Sequence, residues 1–395
     1  MIFQALDNKI DCVGIYADGA IYKHADPETL NLEESWDATP NLMVREATYA
    51  KLLCQKDNIN DICPEHLKEE WEGTCKKLKI FLKCFNAAQI NLNENCFFDL
   101  VPDSFLMSFY ETKNKITKYV LENYEKPDNY DFMKEVNFLL HEINSHTLNL
   151  DLHNANKRLK TKIDISQFNK IKNASNKVCY NMFAARTGRL ATRPSSFPIL
   201  NFNKKFRDVL KPNNGWFVEL DFNANELRVL LALSGKKQPT NDIHEWNAKN
   251  VFRGLQTRSE AKERIFAWLY NPASKDYLAN RAYNRSSIKE KYWDGKIVTT
   301  PFDRKIEADE FHALNYLIQS TASDLLLKQA IKVNKLLNGK KSFIAAVIHD
   351  SILIDYDEGD QKVLKKIIEV FKKTDLGTFK ANISVGKSFG AMREL

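Results

Sequence analysis

Asp221 ends the alternating run WFVELDF (216–222), and Asp350 stands between two apolar runs, FIAAVI (343–348) and ILIDY (352–356). Carboxylates delivered at strand ends suit hard divalent cations, which take oxygen ligands. Two such groups meeting on one sheet could bridge a pair of ions about 3.5–4 Å apart, the arrangement used for in-line phosphoryl transfer. Between them in sequence, Arg258, Lys262, Phe266 and Tyr270 recur every four residues. On a helix, successive members drift by about 40°, so the four form one slanting stripe ~18 Å long. The cations come first and the aromatics last. A nucleotide has the same polarity: Arg and Lys neutralise phosphate oxygens, and rings offer stacking area to base and sugar.

These groups need particular elements to hold them. In WFVELDF, Val218, Leu220 and Phe222 share one face of a strand, and Phe217, Glu219 and Asp221 share the other. Asn223 is a good helix N-cap with Glu226 three residues on, as in a capping box, and the helix ANELRVLLALS stops at Gly235. Thr257 and Glu260 form a second capping box and Asn271-Pro272 a stop, which predicts a helix over 258–270. His349-Asp350-Ser351 reads as a tight hairpin tip. Each feature also has a plainer account. Asp221 and Glu226 could merely cap a helix, the stripe could be a solvated surface helix with its rings turned inward, and Asp is an ordinary turn former.

The 395 residues are enough for two or three domains with a sizeable core. Apolar residues make up 44% and charged residues 28%, an ordinary globular balance, and no run reaches the ~18 apolar residues of a membrane span. The start, MIFQALDNKID, lacks the basic-then-apolar pattern of a signal peptide, which places the chain in a cytoplasm-like compartment. A net charge of +7 permits a nucleic-acid partner without requiring one. Seven scattered cysteines with no CxxC pair predict reduced thiols. Cys63, His66 and Cys75 lack a fourth ligand at a zinc-site spacing. Near the N-terminus, CVGIY and AIYKH flank Asp18-Gly19 as a hairpin, a helix is predicted from Pro64 to Phe85, and 105–172 has helical periodicity.

In order along the chain, six blocks resemble those of family A (DNA polymerase I-like) DNA polymerases. RTGRL (186–190) is similar to the block that touches the primer–template minor groove, and DFNANELR (221–228) to the first catalytic block. DIHEWNAKNVF (242–252) resembles the histidine-bearing segment ahead of the fingers helix, and RSEAKERIFAWLY (258–270) that helix itself. LNYLIQSTASD (314–324) and VIHDS (347–351) resemble the helix with an Asn and a Gln near template and primer, and the second catalytic block.

The resemblance implies an α+β right-hand polymerase: a palm with an antiparallel sheet, helical fingers and thumb, and a small N-terminal α/β region. It implies template-directed addition of dNTPs to a primer 3′-hydroxyl. Asp221 and Asp350 would ligate two Mg2+ ions. His244, Arg258 and Lys262 would hold the triphosphate, with Lys262 also donating a proton to pyrophosphate. Phe266 would sit against the sugar, Tyr270 at the nascent base pair, and Glu226 would exclude a ribose 2′-hydroxyl. Arg189, Asn315, Gln319 and His349 would contact primer–template DNA. The implied division is an N-terminal region (1–104), thumb (105–172), palm (173–222 and 316–395) and fingers (223–315).

Some positions depart from the family pattern. Ser351 stands where a Glu usually follows the catalytic Asp, Ala267 and Asn271 where glycines are expected, and Phe311 where an Arg is usual. The connection from Tyr270 to Asn315 is short for the family. Asp7 and Asp11 do not make the DxE pattern of a 3′–5′ exonuclease, so no proofreading is expected. Compactness and a Lys/Asn-heavy composition suggest a monomeric bacteriophage replication enzyme without membrane association, its helper proteins undefined. The alternatives are a single-subunit RNA polymerase, against which Glu226 counts, and a non-catalytic DNA-binding module, against which both aspartates count.

Overall fold

The computed structural model describes residues 3–9, 12–23, 48–56, 58–92, 95–153, 159–194, 196–271 and 273–395. Two compact units divide the chain, 1–141 and 142–395.

In the first unit, β1 (Phe3–Lys9), β2 (Cys12–Ala17) and β3 (Ala20–Lys23) form an antiparallel meander. Asp18 and Gly19 close the expected hairpin with φ of +49° and +79°, as a two-residue turn matched to strand twist requires. The long helices are α1 (Lys68–Ala87) and α2 (Asp103–Asn123). Trp71 of α1 stacks on Phe109 of α2 at 5.6 Å, Phe81 meets Phe105 at 4.9 Å, and Tyr110 lies against Tyr16 of β2 at 6.5 Å. Position 104/105 lies in the first turn of α2, and the two compact units part inside α3 (Tyr130–Ser145). Asp11 and the side chain of Asp7 lie outside the described residues.

The cysteine expectation needs one correction. Cys54, Cys63, Cys75, Cys84 and Cys179 are thiols, but Cys96 is disulfide-bonded. Spacing along the chain carries no information about which thiols the fold brings together.

The second unit is built on a five-stranded, wholly antiparallel sheet in the order β5-β6-β4-β7-β8: β4 (Trp216–Phe222), β5 (Phe343–Ile348), β6 (Ser351–Tyr356), β7 (Ala381–Gly386) and β8 (Arg393–Glu394). Every residue of β6 is buried. Its helices include α4 (Lys162–Lys172), α5 (Asn225–Leu233), α6 (Arg258–Tyr270), α7 (Ala313–Leu337) and α8 (Gln361–Lys372). Helix α7 buries residues around most of its circumference, the mark of a helix enclosed by a core. Phe371 of α8 stacks on Phe222 at 4.3 Å and so ties a helix to the end of β4. The architecture is α+β, as expected.

Candidate active site

Strand β4 lies at the centre of the sheet, between β6 and β7, with Ser351 opposite Asp221 on one side and Asn382 on the other. The β5–β6 turn therefore lands beside the end of β4, where the Phe222 N–H donates to the Asp350 carbonyl at 3.2 Å. His349 adopts φ +50° in that turn, and its Nε2 donates to the Leu200 carbonyl at 3.0 Å. The Tyr180 hydroxyl donates to the Val347 carbonyl and accepts from its N–H, which fixes the strand leading into the turn. Asn225, fully buried, donates from Nδ2 to Asp350 Oδ1 at 3.3 Å and to the Ala322 carbonyl at 3.1 Å. The two sequence-distant aspartates thus share one end of the sheet.

Burial, then the nearby charges of Glu219, Asp350 and Glu394, pushes the Asp221 carboxyl up to about 7. Negative charge is in excess here. Among the described residues, no three His, Cys, Asp or Glu side chains converge on one point. Two carboxylates, with remaining positions left to water or substrate oxygens, still match the way Mg2+ is commonly held.

Helix α6 starts and stops as its sequence predicts. Thr257 and Glu260 form the reciprocal capping box, and Asn271 leaves the helical conformation. Its inward face is Ala261, Ile265, Trp268 and Leu269. The stripe lies off that face: Arg258, Lys262 and Tyr270 are exposed and Phe266 is half-buried. Phe266 and Tyr270 stack at 5.8 Å with 10° between planes, and the His244 ring lies 5.6 Å from Phe266. The rings are not the helix's core contact, which removes the plainer account of the stripe.

Arg258 is held by Asp242 through Nε at 3.2 Å and an Nη at 2.9 Å. Asp242 also accepts from the His244 and Glu245 N–H groups and from Asn223 Nδ2. Burial, reinforced by Arg258, Lys262 and Arg228, pushes buried His244 down to about 4 against the pull of Asp242. Its imidazole is therefore neutral at physiological pH, and its Nδ1 has no hydrogen-bond partner among the described residues. Arg228, fully buried, donates to the Asn223, Pro239 and Asn241 carbonyls and fixes the segment that delivers His244.

One local expectation fails here. Helix α5 begins at Asn225 after Ala224 with φ +52°, with no side-chain cap. Asn223 Oδ1 accepts instead from Ile243 N–H and Arg228, and the carboxylate of buried Glu226 accepts from Arg189 and the Tyr270 hydroxyl. Arg228 within the helix and three partners far along the chain take these groups in place of the local capping box. Glu226 is thereby brought to the stripe's aromatic end.

The RTGRL loop turns at Gly188, φ +73°, whose carbonyl accepts from Ser323 of α7 at 3.1 Å. The Arg304 guanidinium packs over this glycine and is held by buried Asp324 at 2.9 and 2.7 Å. A cavity of about 510 Å3 is lined by Arg189, Ser323, His349 and Asp350, among others. Asn315 and Gln319 lie half-buried two turns and one turn, respectively, before Ser323 on α7. Phe311 is exposed just before that helix.

Sequence reasoning left several residues without a role. Asp242 and Arg228 stand inside quoted blocks, and Asn225, Glu219 and the Arg304–Asp324 pair acquire partners only in three dimensions. The one available signal was the charge of Arg228 beside the apolar run VLLAL (229–233).

No family model matches the chain. Over 241 residues, 47% of this chain and 26% of the relative, it is 24% identical to DNA polymerase I of Borreliella burgdorferi. It is 27% identical over 170 residues to the DNA polymerase of a Mycobacterium phage, covering 34% of this chain and 28% of that protein. The chain thus spans little more than a quarter of the curated relatives it matches. Among solved structures it resembles the POL domain of Pol1 from M. smegmatis in complex with DNA primer-template and dNTP. That match has a TM-score of 0.57 and 14% identity, covering 73% of this chain and 76% of the other. The fold is therefore that of a polymerase domain. In sequence the chain is similar to DNA polymerase I proteins and to a phage DNA polymerase, and in fold to a polymerase domain. Among the described residues, no helix is long and apolar enough to cross a membrane.

Proposed function

We propose that this chain is a template-directed DNA polymerase that adds dNTPs to a primer 3′-hydroxyl, without proofreading. The observation that carries this reading is the pairing of Asp221 and Asp350 at one sheet end with a cation-to-aromatic stripe on α6. Asp221 and Asp350 would hold two Mg2+ ions, which when bound activate the primer hydroxyl and neutralise charge on the transferred phosphoryl. Excess carboxylate charge and oxygen-only ligands support that fit.

In this reading Arg258 and Lys262 take the phosphate end of the nucleotide. Arg258 must exchange Asp242 for a phosphate, and Lys262 is the proton donor to pyrophosphate. Neutral His244 contributes a hydrogen bond and no charge. Phe266 packs on the sugar and Tyr270 stacks at the nascent pair, held there by Glu226, whose bulk closes the space a ribose 2′-hydroxyl needs. Arg189, Asn315, Gln319 and His349 contact primer–template DNA. The thumb (105–172), the palm and fingers borders, monomeric state and cytoplasmic site of action belong to the same proposal.

Primer extension with dNTPs and with NTPs, on DNA and RNA templates, tests it. DNA-templated dNTP addition is expected, lost in Asp221→Ala or Asp350→Ala with primer–template binding retained. Extension that survives either substitution, or that prefers NTPs, refutes the assignment.

A further inference from the structure

Glu219 has no part in the scheme above, yet it lies two residues before Asp221 on the same face of β4. The Ser351 hydroxyl donates to Glu219 Oε1 at 2.8 Å. Ser351 stands directly opposite Asp221 in the β4–β6 register, and Glu219 opposite Leu353. The contact therefore runs diagonally across the strand pair and holds the Glu219 carboxylate on the Asp221 side. Ser351 is 3% exposed, so its hydroxyl is committed to a protein partner.

Two further observations suit a cation at this position. Among the described residues Glu219 is half-buried and makes no ion pair, although a carboxylate removed from water next to other carboxylates is costly without a positive partner. Asn225, 0% exposed, touches Asp350 with Nδ2 while the Oδ1 of the same amide has no hydrogen-bond partner among the described residues. An unsatisfied buried acceptor beside unpaired carboxylates is what a bound, hydrated cation would complete.

We infer that Glu219 supplies, from β4, the third acidic charge that Ser351 does not provide, and that Ser351 holds it beside Asp221. This rests on the two-metal reading of Asp221 and Asp350. Because no three carboxylates among the described residues converge on one point, Glu219 is a positioning residue. It acts on the ion through the Asp221 side of the site and its water, not as a third direct ligand. An acid at 219 with a hydroxyl at 351 then puts the charge on the adjacent strand, with the serine as its anchor.

The test uses the full chain in a dead-end complex with a dideoxy-terminated primer–template and the next dNTP, titrated with Mn2+ and read by electron paramagnetic resonance. No turnover is involved. Glu219→Gln keeps an acceptor for Ser351 but removes the charge, and is expected to weaken Mn2+ binding roughly tenfold. Ser351→Ala, which frees the carboxylate, is expected to cost about threefold. The double variant Glu219→Ala with Ser351→Glu is expected to bind more tightly than Glu219→Ala alone and to restore Mg2+-dependent extension. Binding by Glu219→Gln within about twofold of the parent overturns the inference. So does a double variant no better than Glu219→Ala. If Asp221→Asn and Asp350→Asn abolish Mn2+ binding while Glu219→Gln does not change it, only the Glu219 role fails. If none of the three changes it, the two-metal reading fails with it.

Discussion

Asp221→Asn is expected to make the metal-free protein more stable while abolishing extension. In the folded chain the Asp221 carboxyl is pushed from the ordinary 3.8 up to about 7, by burial first and by Glu219, Asp350 and Glu394 after it. A raised carboxylate favours its neutral form, so ionising it costs folding free energy. The cost is nearly absent below the ordinary value, grows by about 1.4 kcal/mol per pH unit between the two values, and is complete above the upper one. For a shift of this size the penalty is about 4 kcal/mol at pH 8 and about 2 kcal/mol at pH 5. Asparagine carries no charge and escapes it. The assay is urea unfolding of both proteins in EDTA across that range. The variant should gain the most at pH 8, and the gain should shrink steadily towards pH 5. Saturating Mg2+ should narrow the gap by stabilising the parent alone, since a ligand of the folded state raises stability by mass action. A variant equal to or weaker than the parent at pH 8, or a gain that does not vary with pH, would refute the reasoning.

Gly188→Ala should disturb the RTGRL loop, because its Cβ would come within 2.7 Å of an Arg304 guanidinium that Asp324 prevents from retreating, at φ +73°. A loss of about 2 kcal/mol is expected from the urea midpoint, and an unchanged midpoint would contradict it. Asp242→Asn keeps an acceptor for the His244 and Glu245 N–H groups but frees Arg258. The KM for dNTP should fall several-fold with kcat little changed; a higher KM would show that the ion pair orders the site instead of occupying it. Glu226→Ala removes the group that Tyr270 and Arg189 both address, and should admit ribonucleotides. Unchanged sugar selectivity in a competition assay would rule out its gate role.

Some of the site is local. The α6 start needs only Thr257 and Glu260, three residues apart, and its stop only Asn271; the β5–β6 turn needs only two apolar runs and a short polar break. Such features rest on hydrogen bonds and side-chain alternation within a few residues, and so are legible in a linear reading. The same logic fails at Asn223 and Glu226. The capping chemistry is present in the sequence, but Ile243, Arg228, Arg189 and Tyr270 take up those side chains.

The sequence by itself therefore determined the residue types of the site, the strand end that carries Asp221, the turn that carries Asp350 and the helix that carries the stripe. Tertiary structure alone decided which carboxylates share a sheet end, that Asp242 occupies Arg258, that His244 is buried and neutral, and that Glu219 rests on Ser351. The physical reason is range. Helix periodicity and capping are settled within one or two turns, whereas strand register sets residues more than a hundred positions apart against each other, and burial then fixes their charge.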